Sequence, residues 1–373
     1  MTLGGAPKWR LVVLKLLTVL TLLMVASSSS QFHEHAMHST AFTYGSFCCP
    51  SSPCPAGITM LHSAYAHMVV GNDHESILPL LMHRICDFFK QCIDKRRIRI
   101  VLHNNDQPAA PSKTAATPGA FLDKVGVKYM AWNGTFTADA KMAKSFESLR
   151  GIHAHDTVIL QMDVDEEPEL DKFNQALREL EAQQCDAVFA YWQDRLAPDG
   201  NLSQVLLSAS MQEQFPLKCD LSGKVVKGGK TTKTIAYRAD SRLDGGQHDV
   251  WCDRSTGRGA WNKTAACARH AHERAKSKLL PLIYANVPNL QSRPRYCPSK
   301  VPLRHYKFVL GVTDYLQRRM NSYRRLGLHW WKDSKLFLGH IREHGGRVCV
   351  DCKGMRCVDT LTGQVVRERA AAF

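Results

Sequence analysis

The sequence predicts an α/β fold, with a mainly parallel twisted sheet flanked by helices. Short apolar segments rich in β-branched residues alternate with segments whose apolar residues recur every three or four positions, as strands alternate with helices. The alternation runs through four cycles between residues 61 and 192. Repeated strand–helix units of this kind form parallel sheets covered by helices. The chain contains no G-x-G-x-x-G or Walker loop and no internal repeat.

The elements follow in order along the chain. The predicted strands are residues 64–70, 98–102, 127–131, 157–162 and 187–192. The first helix has apolar residues at helical spacing, from Ile77 to Cys92, and the next carries Met142, Phe146 and Leu149. Pro168 should open the following helix, since proline favours the first helical position. A later helix is predicted over residues 308–326.

Composition narrows the functional classes. The chain has 373 residues, of which 44% are hydrophobic and 22% charged, and its formal net charge is +15. No basic run carries interleaved aromatic residues, so we expect no nucleic-acid partner. An enzyme that handles nucleotide diphosphates accounts for the positive charge equally well.

The N-terminal sequence resembles a secretory signal. Lys8 and Arg10 precede an apolar run over residues 11–26, and four serines follow. Residues 1–30 are therefore predicted to be a cleaved signal peptide or a type II signal anchor, with a buried helix as the alternative. The rest of the chain would then lie in the endomembrane lumen, most plausibly the Golgi, or be secreted. The 13 cysteines and the acceptor sequons at Asn133, Asn201 and Asn262 agree with a luminal location.

One short motif carries chemistry. Asp163-Val164-Asp165 follows an apolar predicted strand, and alternate side chains of an extended chain face the same side. Two carboxylates held side by side repel each other unless a cation lies between them. Mn²⁺ or Mg²⁺ would bind both carboxylates and a diphosphate. A solvated acidic turn is the alternative.

Polar residues follow other predicted strands. Ligands of parallel sheets bind beyond the carboxyl ends of the strands, so residues there are candidates for nucleotide binding. The candidates for nucleotide binding are Asn72, Asn104, Asp106, Trp132 and Asp163, which also belongs to the motif. Asx turns and a tryptophan in the core explain the same residues without a ligand. Lys141 is a possible diphosphate contact or a solvated cation.

Two further features of the sequence each have two interpretations. Asp194 follows the fifth predicted strand and is either the base that deprotonates an acceptor hydroxyl or half of an Asp–Arg pair with Arg195. The C-terminal set of His340, His344, Cys349, Cys352 and Cys357 has spacings suited to zinc, but an oxidising compartment favours disulfides.

Four segments in order resemble family 2-like glycosyltransferases of the GT-A fold, and more loosely family 92. They are residues 68–73 (MVVGND), 158–166 (VILQMDVDE), 233–248 (KTIAYR followed by GGQH) and 303–308 (LRHYKF). In the first of these, Asp73 stands where the family has Glu, and no clear Glu-Asp pair of the kind that supplies a base is present.

The resemblance implies transfer of a sugar from a nucleotide-sugar donor to a hydroxyl of a glycan, glycoprotein or lipid, with inversion and with Mn²⁺ or Mg²⁺ as cofactor. It implies that His248 is the third protein ligand of the cation, with a surface-loop histidine as the alternative. The rival ligand is His305, which is expected at the start of a helix. The expected organisation is an anchor or signal (1–30), a Cys/Pro/Ser-rich stem (31–60), the glycosyltransferase domain (61–330) and a Cys-containing tail (331–373). A non-catalytic sugar-binding protein and a metal-dependent hydrolase remain alternatives.

Overall fold

A mixed sheet of ten strands forms the centre of the part of the chain that the structure, a computed structural model, describes. The described residues are 63–71, 75–104, 117–152, 157–226, 231–239, 241–243, 250–252, 295–350 and 356–366. They all belong to one unit that spans Cys49–Phe373.

The first four strands form the parallel half of this sheet. They are β1 (Tyr65–Gly71), β2 (Ile98–Asn104), β3 (Tyr129–Asn133) and β4 (Val158–Gln161). Their order in the sheet is β4-β1-β2-β3, and every neighbouring pair is parallel. The interior of β1 is buried without alternation, as expected for a strand covered on both faces. The predicted strand–helix alternation is therefore confirmed in this half.

Three helices connect these strands. They are α1 (Ile77–Lys90), α2 (Pro118–Val125) and α3 (Ala138–Ser148). The hydroxyl groups of Thr117 and Thr137 accept backbone N–H bonds at the starts of α2 and α3, which satisfies donors that a helix start leaves open. Lys95–Arg97 forms one short 3₁₀ turn before β2.

The second half of the sheet is largely antiparallel, which corrects the prediction of a mainly parallel sheet. Its strands are β5 (Glu166–Pro168), β6 (Ala187–Leu196), β7 (Leu217–Cys219), β8 (Thr232–Arg238), β11 (Val301–His305) and β12 (Val358–Asp359). Strand β8 lies between β4 and β6 and is antiparallel to both, so the fifth predicted strand does not continue the parallel array. β9 (Ser241–Leu243) and β10 (Val250–Cys252) form a separate antiparallel pair.

The remaining helices are α4 (Leu170–Glu181), α5 (Met211–Gln214), α6 (Leu221–Val225), α7 (Val312–Arg325) and α8 (Trp331–Glu343). Pro168 does not open α4 as predicted, because it is the last residue of β5. His305 likewise ends β11 rather than beginning a helix, and α7 starts only at Val312.

Helices α7 and α8 pack together over β6 and β7. Their shared core includes Val312, Leu316, Phe337 and Ile341. The disulfide Cys219–Cys357 joins β7 to the segment before β12.

A second disulfide, Cys185–Cys297, joins the start of β6 to the segment before β11, and Cys86, Cys92 and Cys349 are also disulfide-bonded. Cys349 and Cys357 are therefore used in disulfides, as the oxidising interpretation of the tail predicts.

Among the described residues, no helix is both long and apolar enough to cross a membrane. The N-terminal apolar run and the Cys/Pro/Ser-rich segment after it lie outside those residues.

Candidate active site

The turn between β4 and β5 carries the two aspartates of the motif. The side chains of Asp163 and Asp165 are 31% and 24% exposed, while Val164 between them is buried. The turn is closed by the Glu166 N–H, which donates to the Asp163 carbonyl at 3.2 Å. The Tyr306 N–H donates to the Asp165 carbonyl at 2.7 Å, which fixes the turn against the end of β11.

Glu166 anchors this turn from below. It is 1% exposed, and its carboxylate accepts bonds from the Asp163 N–H at 2.8 Å and from Trp192 Nε1 at 2.9 Å. The ammonium of Lys233, on β8, lies 2.6 Å from the same carboxylate. A buried carboxylate needs both a counter-charge and hydrogen bonds, and Glu166 has both.

Asp163 is held by two lysines. Lys233 Nζ lies 2.7 Å from one carboxylate oxygen and Lys141 Nζ, from α3, lies 3.2 Å from the other. Burial alone would raise the pKa of Asp163, but the two ammonium groups hold this pKa well below its usual range. Burial would likewise lower the pKa of Lys233, yet the charges of Asp163 and Glu166 raise it. Asp163 and Lys233 are therefore both charged, and the charge of Asp163 is balanced by protein cations.

Asp165 faces a histidine instead. Its Oδ2 lies 3.5 Å from Nε2 of His305, which is the last residue of β11. Burial opposes the protonated form of His305, but the carboxylates of Asp165 and Asp194 beside it raise its pKa to about 9. Contact with His305 in turn lowers the pKa of Asp165 against the opposing effect of burial.

Asp194 orients this histidine from behind. His305 Nδ1 lies 2.9 Å from Asp194 Oδ1, and Asp194 is 2% exposed. The Ser222 hydroxyl and N–H, at the start of α6, donate to the two carboxylate oxygens at 2.9 and 2.6 Å. Both oxygens of Asp194 are thus engaged inside the protein. This position does not suit a base that meets an acceptor hydroxyl, which corrects the first interpretation of Asp194.

The alternative, an Asp–Arg pair, does not form either. The Arg195 guanidinium donates to Thr360 Oγ1 at 2.9 Å and to the Pro216 carbonyl at 3.4 Å.

Trp192 contacts both Glu166, beside Asp163, and His305, beside Asp165. Its indole ring stacks on the His305 imidazole with centroids 4.9 Å apart and planes 11° apart, while its N–H binds Glu166. A rigid aromatic wall thus fixes the imidazole plane, since the ring can neither tilt nor turn without losing this packing.

Asp165 and His305 fit a divalent cation. Two ligand atoms 3.5 Å apart can both lie about 2.1 Å from one ion. Oxygen and imidazole nitrogen together suit Mn²⁺. Binding of the ion would displace the proton on Nε2, whose lone pair would then face the ion while Nδ1 donates to Asp194, which is the carboxylate–histidine–metal arrangement common in metal sites.

Another cluster in the described part of the chain does not fit a metal. Glu179, Cys185 and Cys297 place potential ligand atoms within 4.8 Å of one another. The two sulfurs are bonded to each other, so no thiolate is available there.

The other predicted site residues separate into three groups. Asn72, Asp106 and His248 lie outside the described residues. Asn104 ends β2, is exposed, and donates to Asn133 Oδ1 at 3.1 Å. Trp132 is 6% exposed and packs against Val69 and Val101, which fits a tryptophan in the core.

Three functional side chains were not predicted. Lys233 had a signal, since it opens the KTIAYR segment that resembles the family, although its carboxylate partners were not predicted. Ser222 and Trp192 had none that sequence alone reveals, because their partners are 28 and 26 residues away along the chain.

Solved structures align with the chain at low similarity, and three of them serve as examples. The first is the crystal structure of S. aureus TarS, at 8% identity and a TM-score of 0.28, with 76% of this chain and 43% of TarS covered. The second is S. aureus TarS 1-349, at 9% identity and a TM-score of 0.28, with 75% and 72% covered. The third is GalNAc-T7 with UDP, GalNAc and Mn²⁺, at 11% identity and a TM-score of 0.31, with 76% and 50% covered.

The chain thus spans less than half the length of the longer TarS chain. No protein-family model matches the chain, and no curated protein is significantly similar to it. Likeness at such TM-scores carries no argument about function. Only the side chains of the site itself bear on what this protein does.

Proposed function

We propose that this protein is a metal-dependent glycosyltransferase. It would move a sugar from a nucleotide-sugar donor to a hydroxyl of a glycan, glycoprotein or lipid acceptor, with inversion at the anomeric carbon. The observation that carries the proposal is the pair of Asp165 Oδ2 and His305 Nε2, which face each other 3.5 Å apart. Asp165 lies in the turn that follows the parallel strand β4, and His305 ends β11. That edge of a parallel sheet is where ligands bind.

Asp165 and His305 would hold Mn²⁺ or Mg²⁺. The ion would supply electrostatic stabilisation of the leaving diphosphate. Asp163 differs from its sequence-based role, since its carboxylate already has two lysine partners. Its function would be to fix Lys141, whose side chain is 16% exposed and whose ammonium lies close enough to the turn to bind an anionic donor.

Asp194 would act as a positioning residue. Its carboxylate orients His305 through Nδ1 and is itself fixed by Ser222. Such partners fix the tautomer and the ring orientation of a metal-binding histidine.

The proposed location is the endomembrane lumen, with the Golgi and a type II anchor as the specific form. The two described disulfides support an oxidising compartment. Asn133 and Asn201, the acceptors of two sequons, are exposed. Endoglycosidase treatment of protein made in a eukaryotic cell should increase its gel mobility. An unchanged mobility together with cytosolic fractionation would contradict this location.

Nucleotide release tests the activity. Purified protein is offered a panel of nucleotide sugars with Mn²⁺, with and without glycan acceptors, and release is compared before and after EDTA. We expect one donor to be turned over, faster with an acceptor, with loss in EDTA and recovery on adding Mn²⁺. Full activity in EDTA excludes the metal role, and sugar binding without any turnover favours a non-catalytic protein.

A matched control tests whether the effect is specific to the site or follows from the loss of any negative charge. Asp171 lies exposed in the first turn of α4, so Asp171→Asn removes the same charge away from the turn. It should keep wild-type release, whereas Asp165→Asn should not. Equal loss in both variants would refute the assignment of the site. Release that no acceptor accelerates, with free sugar as product, would indicate a hydrolase instead.

A further inference from the structure

The turn between α7 and α8 forms a surface unlike the rest of the described chain. We call residues 324–336 the hairpin tip. Its exposed cations are Arg324, Arg325, Lys332 and Lys335. None of the four takes part in an ion pair within the described part of the chain.

The one acidic residue of the tip does not neutralise these cations. Asp333 is half-buried and forms no ion pair with the four cations within the described part of the chain, and its charge acts on Lys307 and Arg319. The outer surface of the tip therefore carries an uncompensated positive charge, which attracts an anionic partner.

Apolar side chains are exposed among these cations. Leu326 is 41% exposed and Leu336 is 49% exposed. Lys335 and Leu336 stand three and four residues after Lys332, so both lie beside Lys332 on the surface of α8.

Two tryptophans sit between the leucines. Trp330 and Trp331 are half-buried. The Arg324 guanidinium lies 5.7 Å from the Trp331 ring centroid, and Trp330 contacts the rings of Tyr323 and His329. Indole rings with one apolar side and one wet side are enriched where bilayers meet water.

We propose that the hairpin tip binds the surface of an anionic lipid bilayer. The four cations would contact lipid phosphates, and Leu326, Leu336 and the indoles would enter the headgroup region. Positive charge with leucine and tryptophan on one short helical surface is the composition of an interfacial membrane contact. A soluble polyanion would engage the cations but would leave the leucines in water, so the leucines favour the bilayer. The inference does not depend on the proposed sugar transfer.

Hydrogen–deuterium exchange gives a readout local to the tip. The full chain is incubated with vesicles of phosphatidylcholine alone or of phosphatidylcholine with phosphatidylserine, and exchange is followed in peptides covering residues 324–336. We expect protection with anionic vesicles only, weaker at high salt. A local readout is needed because the N-terminal apolar run, on its own, could bring the chain to either vesicle.

Three double variants test the two components of the surface. Lys332→Gln with Lys335→Gln should weaken the vesicle-dependent protection by roughly fivefold per charge removed. Leu326→Ser with Leu336→Ser should weaken it by about tenfold while its salt dependence persists. Arg342→Gln with Arg347→Gln removes the same charge at the last turn of α8 and just after it, and should change nothing. Arg342 lies about 10–15 Å along the helix from the two lysines.

Four outcomes would overturn the proposal. They are equal protection by neutral vesicles, unchanged protection in the lysine double variant, unchanged protection in the leucine double variant, and equal weakening by the control pair. Dextran sulfate serves as a soluble polyanion. The reference is the protection that anionic vesicles give to the wild-type tip. If dextran sulfate protects both the wild type and the leucine variant to that same extent, the partner is a polyanion rather than a bilayer.

Discussion

Asp163 and Asp165 stand two residues apart in one turn, yet their surroundings are opposite. Asp163 has permanent partners, with Lys233 at 2.7 Å and Lys141 at 3.2 Å. Asp165 has an imidazole at 3.5 Å, farther than an ordinary hydrogen bond. The repulsion that led us to expect one cation between both carboxylates is thus relieved differently on each side.

The difference separates two functions that a D-x-D motif combines. A carboxylate fixed by two lysines organises the turn and its positive charge. A carboxylate that faces an oriented imidazole is free to share a cation with it. Spacing in the sequence places two carboxylates on the same side, but only their partners determine which one can bind a metal.

The strongest test removes one carboxylate at a time. Asp165→Asn should reduce nucleotide release by about a thousandfold, because the donor diphosphate loses its cation. Asp163→Asn should keep the wild-type Mn²⁺ concentration for half-maximal release, even where its turnover is lower. If both variants raise the Mn²⁺ requirement equally, the two aspartates share the ion and the distinction between them fails.

The buried lysine gives the largest effect on folding. Lys233→Met should lower the free energy of unfolding by about 3–5 kcal/mol, because Glu166 would keep a buried charge without its counter-charge. Lys141→Met should cost about 1 kcal/mol or less, since its ion pair with Asp163 is partly exposed. Urea unfolding monitored by circular dichroism measures both. Similar losses in the two variants would contradict the separate role of Lys233.

A pair of histidine variants tests which histidine binds the cation. His305→Ala should raise the Mn²⁺ concentration for half-maximal release by about a hundredfold, and His248→Ala should leave it unchanged. Manganese titrations of nucleotide release give both values. The reverse result would return the ligand role to His248, as the family resemblance implies.

The smallest expected change comes from the residues behind His305. Asp194→Asn should raise the Mn²⁺ requirement roughly 10- to 100-fold, and Ser222→Ala about tenfold at most, because each loosens the orientation of the imidazole. Ser334→Ala is the control, since Ser334 is buried like Ser222 but its hydroxyl has no hydrogen-bond partner among the described residues. A loss of stability without any change in the Mn²⁺ requirement would reduce Asp194 to a structural residue.

Local patterns predicted the parallel half of the sheet and the position of the motif. The strands before Asn104 and Asp163 carry their own signals, namely β-branched runs followed by polar residues. The antiparallel half escaped prediction because insertion of β8 between β4 and β6 depends on pairing between segments 40 or more residues apart.

The site divides in the same way. Asp163 and Asp165 are visible as a motif, whereas the imidazole that faces Asp165 lies 140 residues later and ends a strand that we had predicted to be a helix start. The role of Asp194 was wrong for a related reason. A carboxylate at a strand end is a candidate base only while it is exposed, and the burial of Asp194 under Ser222 and His305 appears only in the folded chain.

The Cys219–Cys357 bond makes the proposed metal site sensitive to thiols. Cys219 lies opposite Asp194 in the ladder between β6 and β7, and the chain reaches Ser222 three residues later. The bond therefore ties the C-terminal segment to the strand that supports the oriented imidazole. Protein purified with a reducing agent should need more Mn²⁺ than oxidised protein, and so should a chain truncated before Cys357. Activity measured in dithiothreitol would then underestimate the activity of the enzyme in its own compartment.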